Sequence, residues 1–528
     1  MTIYGIDLGT TYSCIARVDS SGRPEIIRNR LGREVTPSVV YFESPFHVVV
    51  GDDAKKAALT HPDLVVSRIK REMGHPEAEL DFHDRSFTPE GISAFVLGDL
   101  VGSVREATGE EVKDVVITVP AYFGVAERES TKAAGAIAGL NVVNVVAEPV
   151  AAAFFYGVHD TDATRTVLVF DLGGGTFDTT VIRLGPGEVT VVCTDGDHQL
   201  GGADWDDRLA AHLCDLFTEQ FPGTGAEDDE KFLQDIALHA EELKQSLTSR
   251  QACRHRMTFG DHTAVVEVRR DTFEAITAEF VERTMAITER TLGLAAERGV
   301  DHYDEVLLVG GSTRMPAIDT ALRERFGFAP KLHEPDLAVA KGAAWFALHE
   351  SVRLRRPVGD DSPAAEIARA MELPEGVVRA TAERAVTNVV PRAFGVAVVD
   401  PADPDGDSFL VNHLISANTA LPVQKRKQFV TAYDDQTSIQ VLIYEQAGSI
   451  ESEEAEHNKH IGEAVVSRLP PLRKGSPVDV TFKLDADGVL NVDVLEIKTR
   501  GTATVDIKIG DLTERQVARA RDDVARLT

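Results

Sequence analysis

The sequence predicts an α/β protein of two related lobes, followed by an all-β domain and a short C-terminal helix, and three observations predict it. Strand-like and helical runs alternate over residues 1–350, one Asp-Leu-Gly pattern occurs twice among them, and alternating apolar and polar residues take over from Arg392. The chain has 528 residues, whereas single cores stop growing at roughly 250–300, so it must divide into domains.

The first region, 1–350, is read from runs such as Asp114–Pro120, a strand, followed by the Ala- and Glu-rich helical stretch Ala126–Ala138. Gly5-Ile6-Asp7-Leu8-Gly9-Thr10-Thr11 and Val169-Phe170-Asp171-Leu172-Gly173-Gly174-Gly175-Thr176 each lead an apolar strand through Asp-Leu-Gly, which suggests two related lobes. A third glycine turn, Gly310-Gly311-Ser312-Thr313-Arg314, follows the strand Val306–Val309. Past Trp345, Arg353–Pro357 and Gly359–Pro363 are rich in charge and breakers and close this region. Residues 351–391 form a linker with a helical insertion at 364–385, anchored by Ile367, Met371 and Val378 and stopped by Pro391. Over 392–510, Ser438–Ile443, Val478–Phe482 and Gly488–Val494 alternate as strands, with Asp485-Ala486-Asp487-Gly488 as a hairpin turn. Residues 511–528 end in a helix from Leu512 to Leu527, capped by Thr513 with Gln516 three residues on.

Composition narrows the function. A net charge of −30 repels phosphate backbones and anionic headgroups, so neither nucleic acid nor membrane is expected as the main partner. No apolar run reaches the ~18 residues of a membrane span and the N-terminus lacks signal-peptide character, which predicts a cytoplasmic protein. Cys14, Cys193, Cys214 and Cys253 have no paired spacing and are read as isolated thiols.

Backbone amides of glycine-rich turns converge on phosphate oxygens because no Cβ holds the ligand away. One such turn is ordinarily only a tight strand connection; three in order, at 9–11, 173–176 and 310–312, point to one polyphosphate. Asp7 and Asp171, at strand ends, suit a magnesium ion, which takes oxygen ligands and keeps its waters; turn capping is the structural alternative.

As a set, these residues resemble the DnaK-type (70-kDa) heat-shock chaperones. The likeness runs from Ile3 to Ala344 through Ile6–Ser13, Ile117–Phe123, Glu148-Pro149 with Ala151–Ala153, Asp171–Asp178, Leu200-Gly201-Gly202 and Val309–Pro316. It implies an actin-like (ribonuclease H-like) two-lobed ATPase domain, a β-sandwich peptide-binding domain and the start of a helical lid. It further implies ATP and ADP as ligands with Mg2+, a site that also admits K+, and extended segments of unfolded polypeptide, a J-domain co-chaperone and a nucleotide-exchange factor as partners.

Carried onto matching positions, the resemblance gives Lys70, Glu148, Asp171, Thr176 and Asp178 as catalytic residues, with Asp7 and Asp171 holding magnesium through water. Gly9, Thr10, Thr11, Tyr12, Gly173, Gly174, Gly175, Gly201, Gly202 and Gly310 would surround the phosphates. Glu241, Lys244 and Thr248 share one helical face toward ribose and adenine, opposite Gly311, Ser312, Arg314 and Asp336. Pro120 and Arg128 match a switch pair between domains. The second half, matched through Asn418-Thr419, Phe429–Tyr433 and Asn458-Lys459, puts Val396, Val399, Phe429, Ala432, Ile439 and Val441 along a peptide groove, although each serves equally well as core.

Departures accompany the likeness. Extra residues precede Pro391, the linker is Ala385-Val386-Thr387-Asn388, and Gly124-Val125 and Ala147 replace polar residues, so control of hydrolysis is expected to differ. Only the first turns of a lid are expected, which predicts fast peptide release. An ATP-hydrolysing chaperone is the leading expectation. A regulatory ATP-binding sensor or scaffold, a small-molecule kinase of the actin-like superfamily, and a filament-forming relative are the alternatives.

Overall fold

The computed structural model describes residues 2–75, 77–157, 163–355, 362–400, 402, 408–448, 450–506 and 513–527. Most of the breaker-rich stretch at 353–363, and Leu512 at the expected start of the last helix, lie outside them.

Two mixed sheets are built to one plan. The first comprises β1 (Tyr4–Asp7), β2 (Tyr12–Val18), β3 (Pro24–Ile27), β4 (Asp114–Val119) and β5 (Asn141–Ala147), in the order β5-β4-β1-β2-β3. The second comprises β6 (Arg165–Leu172), β7 (Phe177–Gly185), β8 (Glu188–Asp197), β9 (Glu305–Val309), β10 (Lys331–Leu332) and β11 (Ala385–Thr387), in the order β10-β9-β6-β7-β8-β11. In each sheet the strand that ends in Asp-Leu pairs antiparallel with its successor and parallel with a later strand: β1 with β2 and β4, β6 with β7 and β9. The repeated Asp-Leu-Gly pattern therefore marks the same corner of two similar lobes.

Helices cover both sheets: α1 (Pro89–Thr108), α2 (Val125–Ile137), α3 (Glu148–Gly157), α4 (Gly202–Gln220), α5 (Glu230–Leu247) and α6 (Ala338–Arg353). α3 and α6 join the lobes, because Ala151–Phe154 and Ala343–Leu348 are buried in one core with Val116 of the first sheet and Val169, Ile182 and Val309 of the second. Backbones approach closely there: a Cβ on Gly342 would lie 1.7 Å from the Ala151 carbonyl oxygen, so no side chain fits.

The expected insertion is two helices, α7 (Pro363–Ala370) and α8 (Glu375–Ala382), because Pro374 cannot continue a helix. Ile367 and Val378 are buried as anticipated, and Met371 sits between the helices against the same core. Strand β11 follows at once.

The β region stacks the sheet of β12 (Phe394–Val399), β13 (Phe409–Ile415), β15 (Ile439–Gln446) and β16 (Asn458–Val466) on that of β14 (Val423–Val430), β17 (Pro477–Leu484), β18 (Leu490–Glu496) and β19 (Thr502–Asp506). Inward residues of both, including Phe394, Ile443, Val480, Phe482 and Val492, make one core. The Asp485–Gly488 turn joins β17 to β18: Gly488 has φ +82° and Asp485 accepts from the amides of Asp487 and Val489. Helix α9 (Glu514–Leu527) begins with the expected box, Thr513 Oγ1 accepting from Gln516 N at 3.3 Å and Gln516 Oε1 accepting from Thr513 N at 2.7 Å. It packs Val524 and Leu527 against the core of the first lobe. Among the described residues no helix is long and apolar enough to cross a membrane.

Candidate functional site

Between the lobes lies a cavity of about 470 Å³. Its walls come from the three glycine turns that follow β1, β6 and β9, together with Lys70, Glu148 and the exposed face of α5. The turns interlock. A Cβ on Gly174 would lie 2.2 Å from Thr11 Oγ1, and one on Gly175 2.4 Å from a Thr10 methyl, so the first two turns meet only because the second lacks side chains. Gly310, at φ +81°, passes 2.3 Å (as a Cβ) from the Leu172 carbonyl oxygen and brings the third turn in. Ser312 Oγ then donates to Gly173 O at 2.9 Å. Gly201 and Gly202 stand behind the second turn instead of on the cavity wall: Gly202 N donates to Gly173 O at 2.9 Å and Ala203 N to Gly174 O at 2.8 Å.

The floor is acidic and buried. Lys70 Nζ pairs with Glu148 Oε1 at 2.8 Å, both buried. Asp7 accepts from Thr118 Oγ1 at 3.0 Å, and burial together with the Glu148 charge pushes its carboxyl up to about 7. Asp171 is raised well above the carboxylate range, by burial first and then by Glu148, Asp178 and Asp7, and its Oδ2 has no hydrogen-bond partner. Three carboxylates crowded round one buried lysine, one with an orphaned oxygen, fit a hard divalent cation that takes oxygen ligands.

Asp178 stands at the edge of this acidic cluster, within reach of the Glu148 and Asp171 charges. It is the cross-strand partner of Asp171, but its carboxylate accepts from Ala121 N and Tyr122 N, both at 3.1 Å, so it stands beside the cavity and ties it to the turn after Pro120. Burial raises it to about 7. Thr176 is on the wall.

At the open end, Glu241, Lys244 and Thr248 line one side and Gly311, Ser312, Arg314 and Asp336 the other. Arg314 pairs with Asp336 at 2.5 Å, and Lys244 with the buried Asp206 at 2.8 Å. Tyr12 Oη donates to Glu241 at 2.7 Å and Lys55 Nζ pairs with the same carboxylate at 2.5 Å, which ties both to α5 beside the mouth. Sequence reasoning missed Lys55, Asp206 and Thr118. Asp206 lies just beyond Gly201-Gly202 and could have been found there; nothing marks Lys55 in Asp52-Asp53-Ala54-Lys55-Lys56.

The expected switch pair is linked through one residue: Phe123 N donates to Pro120 O at 3.2 Å, and Phe123 O accepts from Arg128 Nε at 3.0 Å. Of the expected groove residues, Val396, Ile439 and Val441 lie in the β core, whereas Val399 is 41% exposed and Phe429 and Ala432 are half-buried.

The Hsp70 protein family model matches residues 3–82, 75–352 and 380–526. The chain belongs to the Hsp70 family. Chaperone protein DnaK from two strains of Halobacterium salinarum (ATCC 29341 / DSM 671 / R1 and ATCC 700922 / JCM 11081 / NRC-1) is 36% identical over 531 residues, which cover 99% of this chain and 77% of that protein. Hsp70 membership means actin-like ATPase lobes and a β substrate-binding domain. Residues 353–379, which hold α7 and most of α8's first turns, fall between the matched segments.

Proposed function

We propose that this Hsp70 chain is an ATP-dependent chaperone whose interlobe cavity hydrolyses ATP to control binding of extended apolar polypeptide by the β region. The meeting of three glycine turns over the Lys70–Glu148 pair carries this reading.

Phosphoryl transfer to water needs positioning and charge stabilisation more than covalent chemistry. Thr10, Thr11 and the amides of Gly9 and Gly173–Gly175 cradle the phosphates. Asp7 and Asp171, whose Oδ2 has no hydrogen-bond partner, would hold magnesium through water, and a cation there would supply positive charge against the phosphate oxygens. Lys70 orients the attacking water, with Glu148 fixing its ammonium, and Thr176 faces the terminal phosphate. Asp178 positions the turn of Pro120, and through Phe123 it reaches Arg128. Glu241, Lys244 and Thr248 take the ribose and adenine against Gly311, Ser312, Arg314 and Asp336.

For the β region the half-exposed Val399, Phe429 and Ala432 contact peptide, and Val396, Ile439 and Val441 support them from the core. J-domain and nucleotide-exchange partners follow from family membership, and a cytoplasmic site of action accords with it. A small-molecule kinase would not need a β sandwich of two four-stranded sheets. Lys70→Ala should leave ATP affinity within about threefold and lower single-turnover hydrolysis by at least about 100-fold, the scale of one lost electrostatic group; unchanged turnover would remove the lysine from the mechanism.

A further inference from the structure

We propose that α7 and α8 form a clamp that keeps the connecting strand β11 on the edge of the second sheet, so that detachment of β11 is set by the packing of this insertion.

β11 is a weak element by itself. It has three residues, Ala385 exposed and Val386 and Thr387 half-buried, and pairs in parallel with Glu188–Thr190 alone. Its lead-in bond is Ala385 N to Gly187 O at 2.8 Å. An edge strand this short offers little ladder hydrogen bonding, so its residence depends on how closely the chain on either side is held.

Upstream it is held closely. Ser362 Oγ caps α7, accepting from Ala365 N at 3.2 Å, and Glu366 pairs with Arg355 at 3.2 Å just past α6. Ala364, Ile367, Ala368, Leu373 and Val378 are buried in the core shared with α6 and with Val189 and Val191 of β8. Val377 closes over Gly22 of the first lobe, where an added Cβ would lie 3.2 Å away. His349 of α6 donates from Nδ1 to Thr381 O at 3.1 Å. α8 therefore ends on the lobe, and only Glu383 and Arg384 separate it from β11.

Were the helices unpacked, residues 354–384 would become the tether from α6 to β11. Closure probability falls as the three-halves power of tether length, so the effective concentration of β11 at its edge drops roughly fifty-fold. Downstream, Asn388 O accepts from Leu421 N at 2.8 Å and Asn418 Oδ1 accepts from Thr194 N of β8 at 2.7 Å, which places β11 between lobe and β region. β11 edges the sheet that carries Asp178 and Asp171, two and three strands away. Because α7 and the first turn of α8 lie outside the stretches the Hsp70 model matches, this control belongs to the insertion.

Hydrogen exchange of the full-length chain tests the clamp. In Ile367→Ser/Val378→Ser, which keeps the length but unpacks the helices, amide protection at 385–387 should fall roughly fifty-fold while ADP affinity, measured by calorimetry with magnesium, stays within about twofold. A ten-residue Gly-Ser insert between Glu383 and Arg384 leaves the helices packed and should lower protection at 385–387 roughly fifteen-fold. None of the substitutions touches Asn388, Asn418 or Leu421, which hold β11 from the β-region side, so the ratios report the clamp. Unchanged protection at 385–387 in the insert variant overturns the proposal, as does unchanged protection in the double variant once 364–381 exchanges freely. If the double variant does not fold, the insert variant alone decides.

Discussion

The interlobe cleft and the β sandwich spend their residues differently. In the cleft, polar and charged groups are buried and incompletely satisfied, and glycines stand where any side chain would collide. In the sandwich, apolar side chains from two sheets fill one core. A phosphate site demands particular residues at particular points, because an amide must reach an oxygen and a carboxylate must reach a cation. A core demands only apolar volume, which many residues supply.

If the two regions are separable in this way, Phe482→Ala should destabilise the sandwich by about 3–5 kcal/mol, as for other fully buried phenylalanines, and leave ATP affinity within about twofold. Thermal unfolding and calorimetric titration of the same sample check both. Loss of ATP affinity in step with sandwich stability would mean that the regions fold as one. The converse variant is Gly175→Val. Its side chain meets Thr10 and must push the first two turns apart, so ATP affinity should fall at least about 100-fold, or about 2.8 kcal/mol, with sandwich unfolding unmoved. An affinity within threefold of wild type would show that the turns tolerate separation and would break the cradle.

The contrast also explains what could be read in advance. The duplicated lobes were legible from Asp-Leu-Gly because that sequence ends β1 and β6 in equivalent corners of sheets with the same strand order. The glycine turns of the cleft, with Asp7 and Asp171, were legible for the same reason, whereas Lys70, Glu148, Glu241, Lys244 and Thr248 were reached only through the resemblance to the heat-shock chaperones. Asp178 was harder: alternation puts it beside Asp171 across the ladder, yet only tertiary structure brings the Ala121 and Tyr122 amides that capture its carboxylate. Lys55 was not legible, since its partner Glu241 is on another lobe. In the sandwich, Val396, Ile439 and Val441 satisfy a groove pattern and a core pattern alike; burial separates them from Val399, while Phe429 is half-buried at the rim of the same core. The paired variants Phe429→Ala and Val441→Ala sharpen this: the first should weaken binding of an apolar extended peptide about tenfold with little change in stability. The second should cost about 1–2 kcal/mol of stability, two buried carbons at roughly 0.8 each plus a small void, and change peptide affinity less than twofold. A reversed pattern would move the groove to the inner face.

The smallest effect lies where the two regions touch. Glu445 of β15 is fully buried against α2: Val125 N donates to it at 3.2 Å, Arg392 lies 3.8 Å away, and one carboxylate oxygen has no partner. Arg392 is shared with Glu127 of α2 at 3.2 Å and lies over the Tyr122 ring, so a single guanidinium serves two carboxylates. Burial therefore dominates over the attraction of Arg392 and raises Glu445 to about 7. Separation of the β region from α2 returns it to water and to the ordinary carboxylate range near 4. The docked form binds the proton more tightly, so its advantage is complete below about pH 4 and is lost as pH rises to about 7, beyond which the dependence levels off. Between pH 6 and 8 the contact should weaken by about 1 kcal/mol, read as increased exchange of the Val125 amide or as a change in energy transfer between labels on α2 and β15. Glu445→Gln keeps the shape without the charge and should flatten that profile; a profile unchanged in this variant would assign the pH response to another group and leave Glu445 as a structural acceptor only.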